Sequence, residues 1–272
     1  MKADLHVHST ASDGTLSPSQ IIERAHTLGV GVLAISDHDS VEGLAEAASR
    51  SAELGVNLVP AVELSAVQDG RDVHVLAYFV DPASPILGEQ LSALRAARRD
   101  RAEEIVAALR GAGYEISLDD VLKMADSGAV GRSHVARTLV EAGHAETIEQ
   151  AFDRFIGRGR PFYVPKRSAH PVEVVAGIAR LGAIPVLAHP GVTGVDDLIE
   201  PLVEAGLLGI EAYHADHTEQ QAERYASLAR DLGLLVTGGS DFHGPQAPNP
   251  DIGATSLPEA DLMAFLAADP RA

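Results

Sequence analysis

Two histidines, His6 and His8, flank one valine at the end of the short β-branched run Ala3–Val7. Side chains alternate along a strand, so residues two apart face the same side and both imidazoles can meet one ion. Alone, an H-x-H pair is a weak signal, because two solvated histidines look the same. Recurrence gives it weight. Ser36-Asp37-His38-Asp39 closes a second apolar run, Glu63 closes a third, His74 lies in a fourth, His189 follows Ile184–Ala188, and Asp241-Phe242-His243 follows Leu234–Gly239. Asp13 lies in the loop Ser9–Leu16, close behind His8. Six histidines, two aspartates and one glutamate are too many ligands for a single ion. Two ions need a bridging carboxylate, for which Glu63 and Asp241 are the candidates, and a set of this size has room for three. The chain has no cysteine, so a metal must be held by imidazole, carboxylate and water, a donor set that suits Mn²⁺, Fe²⁺ or Zn²⁺.

These residues need elements that bring them to one place. Over the first 80 residues a short apolar run is repeatedly followed by an amphipathic stretch, the signature of βα units around a parallel sheet. The spacing predicts strands at Ala3–Val7, Val32–Ser36, Leu58–Glu63 and Val73–Phe79. It predicts helices at Pro18–Leu28, opened by Ser17 and closed by Gly29, and at Val41–Leu54, opened by Ser40 and closed by Gly55. From about Pro85 the alternation gives way to helical spacing over Leu87–Ala112, Leu118–Ala125, Ser133–Ala142 and Thr147–Phe155. It resumes with Val172–Leu181, Ile184–Ala188, Val195–Ala205, Gly209–Ala212, Glu219–Leu232 and Leu234–Gly238. A surface loop at Gly244–Pro250 precedes a short closing strand or helix. The expected organisation is a discontinuous barrel, residues 1–84 and 164–272, interrupted by a helical insertion, residues 85–163, that forms one wall of the substrate pocket. In such barrels the strand ends converge on one mouth, where active sites form.

The length of 272 residues suits one large α/β domain. With 21 Lys and Arg against 39 Asp and Glu the net charge is −18, which repels polyanions and argues against a duplex nucleic acid partner. No run of 18 apolar residues and no apolar leader is present at the start, so no membrane partner and a cytoplasmic location are expected. Cations are concentrated locally. Gly131-Arg132-Ser133-His134 stands at a helix start where backbone N–H groups, a guanidinium and an imidazole can clamp a phosphate, although an ordinary cap reads the same way. Arg154, Arg158, Arg160, Lys166 and Arg167 add a basic segment. Among the other histidines, His26, His144 and His170 read as solvated or capping residues. His214 and His217 either line the pocket or are loop polarity. Asp37 and Asp39 are candidates for orienting His38 or its neighbours.

Taken together, H-x-H at the start, Asp13-Gly14, S-D-H-D at 36–39, Glu63, His74-Val75-Leu76, A-H-P at 188–190 and S-D-F-H at 240–243 resemble the PHP (polymerase and histidinol phosphatase) metal-dependent phosphoesterase family. The insertion, with Gly131–Arg137, Ala151-Phe152 and Gly157-Arg158-Gly159, is similar to the branch that acts on nucleotides: 3′,5′-nucleoside bisphosphate phosphatases, AMP phosphatases and exoribonucleases for short 5′-phosphorylated oligoribonucleotides. The resemblance implies a distorted (βα)7 TIM-like barrel and two or three divalent ions, usually Mn²⁺. It assigns His6, His8, Glu63 and Asp241 to one ion, Asp13, His38 and His243 to a second, and Glu63, His74 and His189 to a third, with Glu63 bridging. It places Arg132, His134 and Lys166 on the substrate phosphate.

The expected reaction is attack on phosphorus by a hydroxide held between the ions, with His134 or His214 as candidate acid. Three other readings compete. A histidinol phosphatase-like enzyme would share the chemistry and differ in substrate. An amidohydrolase barrel also begins with H-x-H but uses a carboxylated lysine as bridge, and no lysine lies at a strand end here. A non-catalytic metal-stabilised binding module would be expected to have lost ligands, whereas all nine are present. Metal identity, exact substrate and oligomeric state stay open at this level.

Overall fold

Seven apolar runs become strands in a computed structural model of the chain, which describes residues 1–125, 128–245, 247, 250–255 and 257–271. They are β1 (Ala3–Val7), β2 (Val32–Ile35), β3 (Asn57–Gln68), β4 (Arg71–Tyr78), β5 (Ile184–Leu187), β6 (Gly209–His214) and β7 (Leu235–Gly239). They lie side by side in chain order in one sheet. The sheet closes on itself where β7 runs into β1: the Asp241 N–H donates to the His6 carbonyl at 2.9 Å and the His8 N–H to the Phe242 carbonyl at 2.9 Å. The result is a distorted TIM-like α/β barrel.

Helices cover the outside. α1 (Pro18–Thr27) begins with Ser17 and Gln20 in a reciprocal capping box and Pro18 at its first position. α2 is Leu44–Leu54. It starts three residues later than Ser40 suggests, because the Ser40 hydroxyl accepts the Glu42 N–H in a local turn instead of capping a helix. α7 (Pro171–Arg180) leads into β5, α8 (Pro190–Thr193) and α9 (Ile199–Glu204) follow it, and α10 (Glu219–Asp231) follows β6. Between β4 and β5 lie α3 (Pro85–Gly111), α4 (Leu118–Ala125), α5 (Arg132–Glu141) and α6 (Ile148–Ala151), the last running into a π turn at Phe152–Ile156. These four helices bury an apolar cluster of their own, including Ile105, Leu109, Val121, Leu139 and Phe155. The loop expected at Gly244–Pro250 falls partly outside the described residues, and the closing element is the helix α11 (Glu259–Ala267).

The sheet is not all parallel. β4 runs antiparallel to both β3 and β5. Its link to β3 is a two-residue turn, Asp69-Gly70, with φ of 51° and 72°, between the paired residues Gln68 and Arg71. Asp-Gly is a strong signal for this kind of hairpin turn, since both central residues need positive φ. The expectation of a continuous parallel pattern overlooked it, and so placed the end of β3 five residues early. Reversing β4 is what puts His74, near its start, at the same mouth as the ends of β1, β2 and β3. There Ser65 pairs with His74 and Glu63 with Leu76.

Alternation then divides the side chains. Leu33, Leu64, Val75, Leu187, Ile210 and Val236 face the helices in the main core. Ala34, Ala61, Leu76, Tyr78 and Val186 fill the barrel below the mouth, where Phe265 of α11 packs edge-on against Tyr78 at 4.9 Å between ring centres. Among the described residues no helix is long and apolar enough to cross a membrane.

Gly239 sits at the closing seam, where a Cβ would lie 2.3 Å from the His6 Cβ and 2.6 Å from its backbone nitrogen. Gly239→Ala is expected to cost about 1–3 kcal/mol by overpacking, read as a lower thermal unfolding midpoint. An unchanged midpoint would mean that the seam is looser than described.

Candidate metal centre and substrate pocket

Glu63 is the hub. It ends the parallel part of β3 and is 1% exposed. Its Oε1 lies 2.9 Å from His74 Nδ1 and 3.2 Å from His189 Nε2. Its Oε2 lies 2.9 Å from His38 Nδ1, 3.3 Å from His8 Nε2 and 3.4 Å from His6 Nε2. On the β7 side, Asp241 Oδ1 is 3.1 Å from His8 Nε2 and 3.4 Å from His6 Nε2. Beyond His8, Asp13 Oδ1 lies 3.9 Å from His8 Nδ1 and 3.4 Å from His243 Nε2. All nine residues singled out as ligands therefore meet at one mouth. Their donor atoms converge in groups that could each hold an ion: His6, His8 and Asp241; His8, Asp13, His38 and His243; and His38, Glu63 and His74. His38 faces both of the last two groups, a sharing that sequence order did not indicate.

The electrostatics explain why such a cluster can exist in a barrel. Burial works to protonate Glu63, but His38, His74 and His6 outweigh it and hold the carboxyl well below its usual range. Asp13, opposite His243 and His38, and Asp241, opposite His6 and His243, are held low against burial in the same way. Burial opposes the charge on His8, yet the facing carboxylates of Asp241 and Glu63 push it up to about 10, while burial takes His74 down to about 4. Even so, none of these approaches is aligned as a hydrogen bond to Asp13 Oδ1, Glu63 Oε2 or His38 Nδ1, which are buried without one among the described residues. Buried lone pairs of this kind are expensive, and a divalent cation satisfies them. The nitrogen and oxygen donors present fit such an ion.

A surrounding layer orients the ligands. Glu211, on the inward face of β6, accepts from His6 Nδ1 at 3.0 Å and from the His189 N–H at 3.0 Å, leaving His6 Nε2 free to face the hub. The carboxylate–imidazole pairing is the usual support of a metal-binding histidine. Sequence reasoning missed it. The available signal was one acidic residue inside the apolar strand Gly209–Ala212. His243 is fixed similarly, its Nδ1–H donating to the Asp241 carbonyl at 2.7 Å. Asp37 and Asp39 do not hold the His38 ring. Asp37 accepts from the Ser9 N–H and from the Ser9 and Ser12 hydroxyls, shaping the loop behind His8. Asp39 accepts from the Ser65 N–H and from Arg98 of α3. Asp39, His189 and Asp241 adopt φ of 51°, 29° and 52°, strain of the kind that concentrates at functional sites.

Beside the cluster opens a pocket with walls from both parts of the chain. Asp13, His38, Asp72, His74 and Lys166 line the barrel side, and Arg98, Arg101, Ile105, Gly131, Arg132, Ser133 and Phe152 the opposite one. Ser133 also donates to Asp13 Oδ2 at 2.9 Å. Arg132 reaches Asp72 at 3.2 Å with its guanidinium 5.6 Å from the centre of the Phe152 ring. Lys166 Nζ lies 3.4 Å from His74 Nε2, and burial, aided by Arg98, pushes it down to about 8. His134 is placed differently from the expectation. It is 1% exposed, its Nδ1 accepts the Gly131 N–H at 3.0 Å, and it does not line the pocket. His214 does not line it either: its Nδ1 accepts the Asp216 N–H at 3.1 Å and its Nε2 faces Asp241 Oδ2 at 3.5 Å. His217 has both ring nitrogens committed, to the Ala212 carbonyl and the Gly191 N–H. His26 and His170 lie apart from the cluster, His170 capping α7, and His144 packs on Tyr114, just after α3.

Known proteins resemble this chain over most of its length. The PHP domain family profile matches residues 4–160. A 3′,5′-nucleoside bisphosphate phosphatase from Chromobacterium violaceum is 35% identical over 258 residues, covering 93% of this chain and 90% of that one. A 5′-3′ exoribonuclease from Haemophilus influenzae is 37% identical over 249 residues, 90% of either chain. A solved structure from Bifidobacterium adolescentis, for which a metal-dependent phosphoesterase activity is proposed, superposes with a TM-score of 0.90 at 33% identity, over 98% of this chain and 96% of that one.

Two outcomes follow from the supporting layer. Glu211→Gln removes the charge that orients His6, and metal affinity, measured by competition with a chelator, is expected to fall about 10–100-fold with the fold retained. Unchanged affinity would make Glu211 a bystander. The second concerns His134, which burial depresses from 6.5 to about 4. A depressed histidine is neutral when folded and protonated when unfolded between these values, so its contribution is intact above pH 6.5 and is lost as pH falls toward 4. His134→Asn, which can keep the acceptor for Gly131, should therefore flatten the acid-side fall in unfolding free energy of metal-free protein; an equally steep fall would contradict this assignment.

Proposed function

The chain belongs to the PHP domain family, and from that membership we propose that its substrate is a nucleotide phosphoester, either a 3′,5′-nucleoside bisphosphate or AMP-like nucleotide or a short 5′-phosphorylated oligoribonucleotide. The enzyme is a metal-dependent phosphoester hydrolase. The observation that carries the substrate proposal is the pocket itself, where cationic side chains and an aromatic ring stand directly beside the ligand cluster. A phosphoryl group fits the cations and the ligand cluster, and a planar base fits the apolar side of Ile105 and Phe152.

In this proposal His6, His8, Glu63 and Asp241 hold one divalent ion, Asp13, His38 and His243 a second, and Glu63, His74 and His189 a third; the grouping of His6, His8 and Asp241 and of Asp13, His38 and His243 supports the first two, and the approach of Glu63 to His6, His8, His74 and His189 supports its bridging place. The ions, when bound, supply a nucleophilic water at neutral pH and neutralise phosphate charge. Manganese is the ion proposed, iron or zinc the alternatives, and the cytoplasm the compartment. Arg132 and Lys166 bind and orient the phosphoryl oxygens. Ser133 keeps Asp13 turned toward His243. Residues 85–163 act as an insertion that walls the pocket and limits substrate length, in keeping with a chain whose net charge of −18 disfavours long polyanions. His134 is better suited to holding the start of α5 than to donating a proton, since its Nδ1 is committed and the ring is buried.

A phosphoester panel with Mn²⁺-loaded protein tests the proposal: adenosine 3′,5′-bisphosphate, 5′-AMP, a 5′-phosphorylated triribonucleotide and histidinol phosphate. Hydrolysis of one or more of the first three, faster than of histidinol phosphate, is expected. No release from any nucleotide would remove the proposal. Arg132→Ala should raise KM for the preferred substrate about tenfold, as loss of a charge-assisted contact does, with metal content unchanged; an unaltered KM would exclude Arg132 from phosphate binding.

A further inference from the structure

Glu211 and His214 stand three residues apart on β6, a spacing that puts side chains on opposite faces of a regular strand. Both nevertheless face the ligand cluster. Glu211 accepts from His6 Nδ1, and the His214 ring packs 5.2 Å from that of His189 and 6.0 Å from that of His6, between ring centres. The pairing with β7 shows how this comes about. Glu211 lies opposite Thr237 but Tyr213 lies opposite Gly238, so β6 holds one residue more than its partner over this step. The extra residue makes a bulge, which re-aims the side chains beyond it. Ala212 and Tyr213 both pack on the main core, and His214 turns inward. Gly238 leaves room for the bulge, since a Cβ there would lie 2.6 Å from the Tyr213 carbonyl oxygen. A bulge disrupts the ladder locally, and here its product is one inward imidazole.

The contacts of that ring set its tautomer. His214 Nδ1 accepts the Asp216 N–H at 3.1 Å, so in the neutral imidazole the hydrogen stands on Nε2. Nε2 then has no lone pair for an ion, although the donor atoms of His6, Glu211 and His214 lie close together. The side chain is 1% exposed, and Nε2 has no aligned hydrogen-bond partner among the described residues. A buried N–H of this kind is costly, and the carboxylate it faces is that of Asp241, with Oδ2 at 3.5 Å. Oδ1 of the same carboxylate is the atom turned to His8 and His6. The Asp241 backbone is already pinned, with φ of 52° and its N–H bonded to the His6 carbonyl. Rotation about the side-chain bonds is the freedom left to the carboxylate, and a donor at Oδ2 removes it. We propose that His214 is a positioning residue, whose Nε2–H holds Asp241 Oδ2 so that Oδ1 is presented to the ion shared with His6 and His8. The inference rests on the metal-centre reading above and adds to it a residue outside the ligand set, delivered by the bulge in β6.

Two variants separate the two ring nitrogens. His214→Asn keeps an acceptor near Nδ1 for the Asp216 N–H and places nothing at Nε2. His214→Gln reaches the Nε2 position with an N–H and gives up the acceptor at Nδ1. Mn²⁺ retention is measured by competition with a chelator in the absence of nucleotide, and thermal unfolding of the metal-free proteins checks that both variants fold. His214→Asn should weaken retention about tenfold, as loss of an orienting partner does, and His214→Gln should recover most of that loss. A ring that served only packing, or only the turn at Asp216, would give the reverse order with the Asn variant the milder, and that order overturns the proposal. So does undiminished retention in His214→Asn, an equal loss in both variants, or a wild type that binds no Mn²⁺. Because the measurement needs no substrate, the two proposals fail separately. A nucleotide panel without hydrolysis removes the substrate reading, while the order of metal affinities still decides the role of His214.

Discussion

A carboxylate taken out of water costs several kcal/mol unless cations or hydrogen-bond donors replace its hydration. Glu63 is 1% exposed and has five imidazoles within 3.4 Å to do this. That requirement explains much of the mouth of the barrel. Five imidazoles around one carboxylate must come from different strand ends, because no single strand can present more than two or three side chains to one point. The strands must then be held in a closed ring, and the ring closes at the residues that carry the ligands: the bonds that seal β1 to β7 run from the Asp241 N–H and to the His6 carbonyl. The same residues close the barrel and supply ligands to the cluster.

The reversal of β4 belongs to the same constraint. In a uniformly parallel barrel a residue near the start of a strand lies at the bottom, among Leu5, Ala34 and Tyr78. Running β4 backwards through the tight Asp69-Gly70 turn brings His74 up to Glu63 without a crossover helix. It also lets β4 lead directly into the long α3, whose start packs Leu87 and Leu91 on the main core and whose middle delivers Arg98 and Arg101 to the pocket.

Much of the site was legible in the sequence because its chemistry needs particular residue types at strand ends, and strand ends are marked by the close of apolar runs. His6 and His8, His38, His189 and the pair Asp241 and His243 all follow such runs. What was not legible depends on direction and on the third dimension. The parallel pattern suggested by the first two units hid the hairpin, although Asp69-Gly70 carried its signal. Glu211 looked like an isolated charge in a strand until the inward face of β6 was known. His134 sits in a phosphate-clamp pattern with Arg132 and Ser133, yet on a helix adjacent residues point about 100° apart, and only its neighbours face the pocket. Arg101 belongs to a helix full of arginines, where nothing in the spacing distinguishes the one whose Nη2 is left without a partner.

The hydrogen bond from Ser133 to Asp13 joins the first turn of α5 to a carboxylate of the ligand cluster, and Arg137 grips the backbone of the same residue. α5 therefore has a mechanical hold on the cluster. Any outward tilt of α5 that widened the pocket would draw Asp13 away from His243, and an ion that fixes Asp13 would in turn resist that tilt. By thermodynamic reciprocity the two would be linked: an ion bound at Asp13 would stiffen the α5 side of the pocket, and a ligand that held α5 in place would help retain that ion.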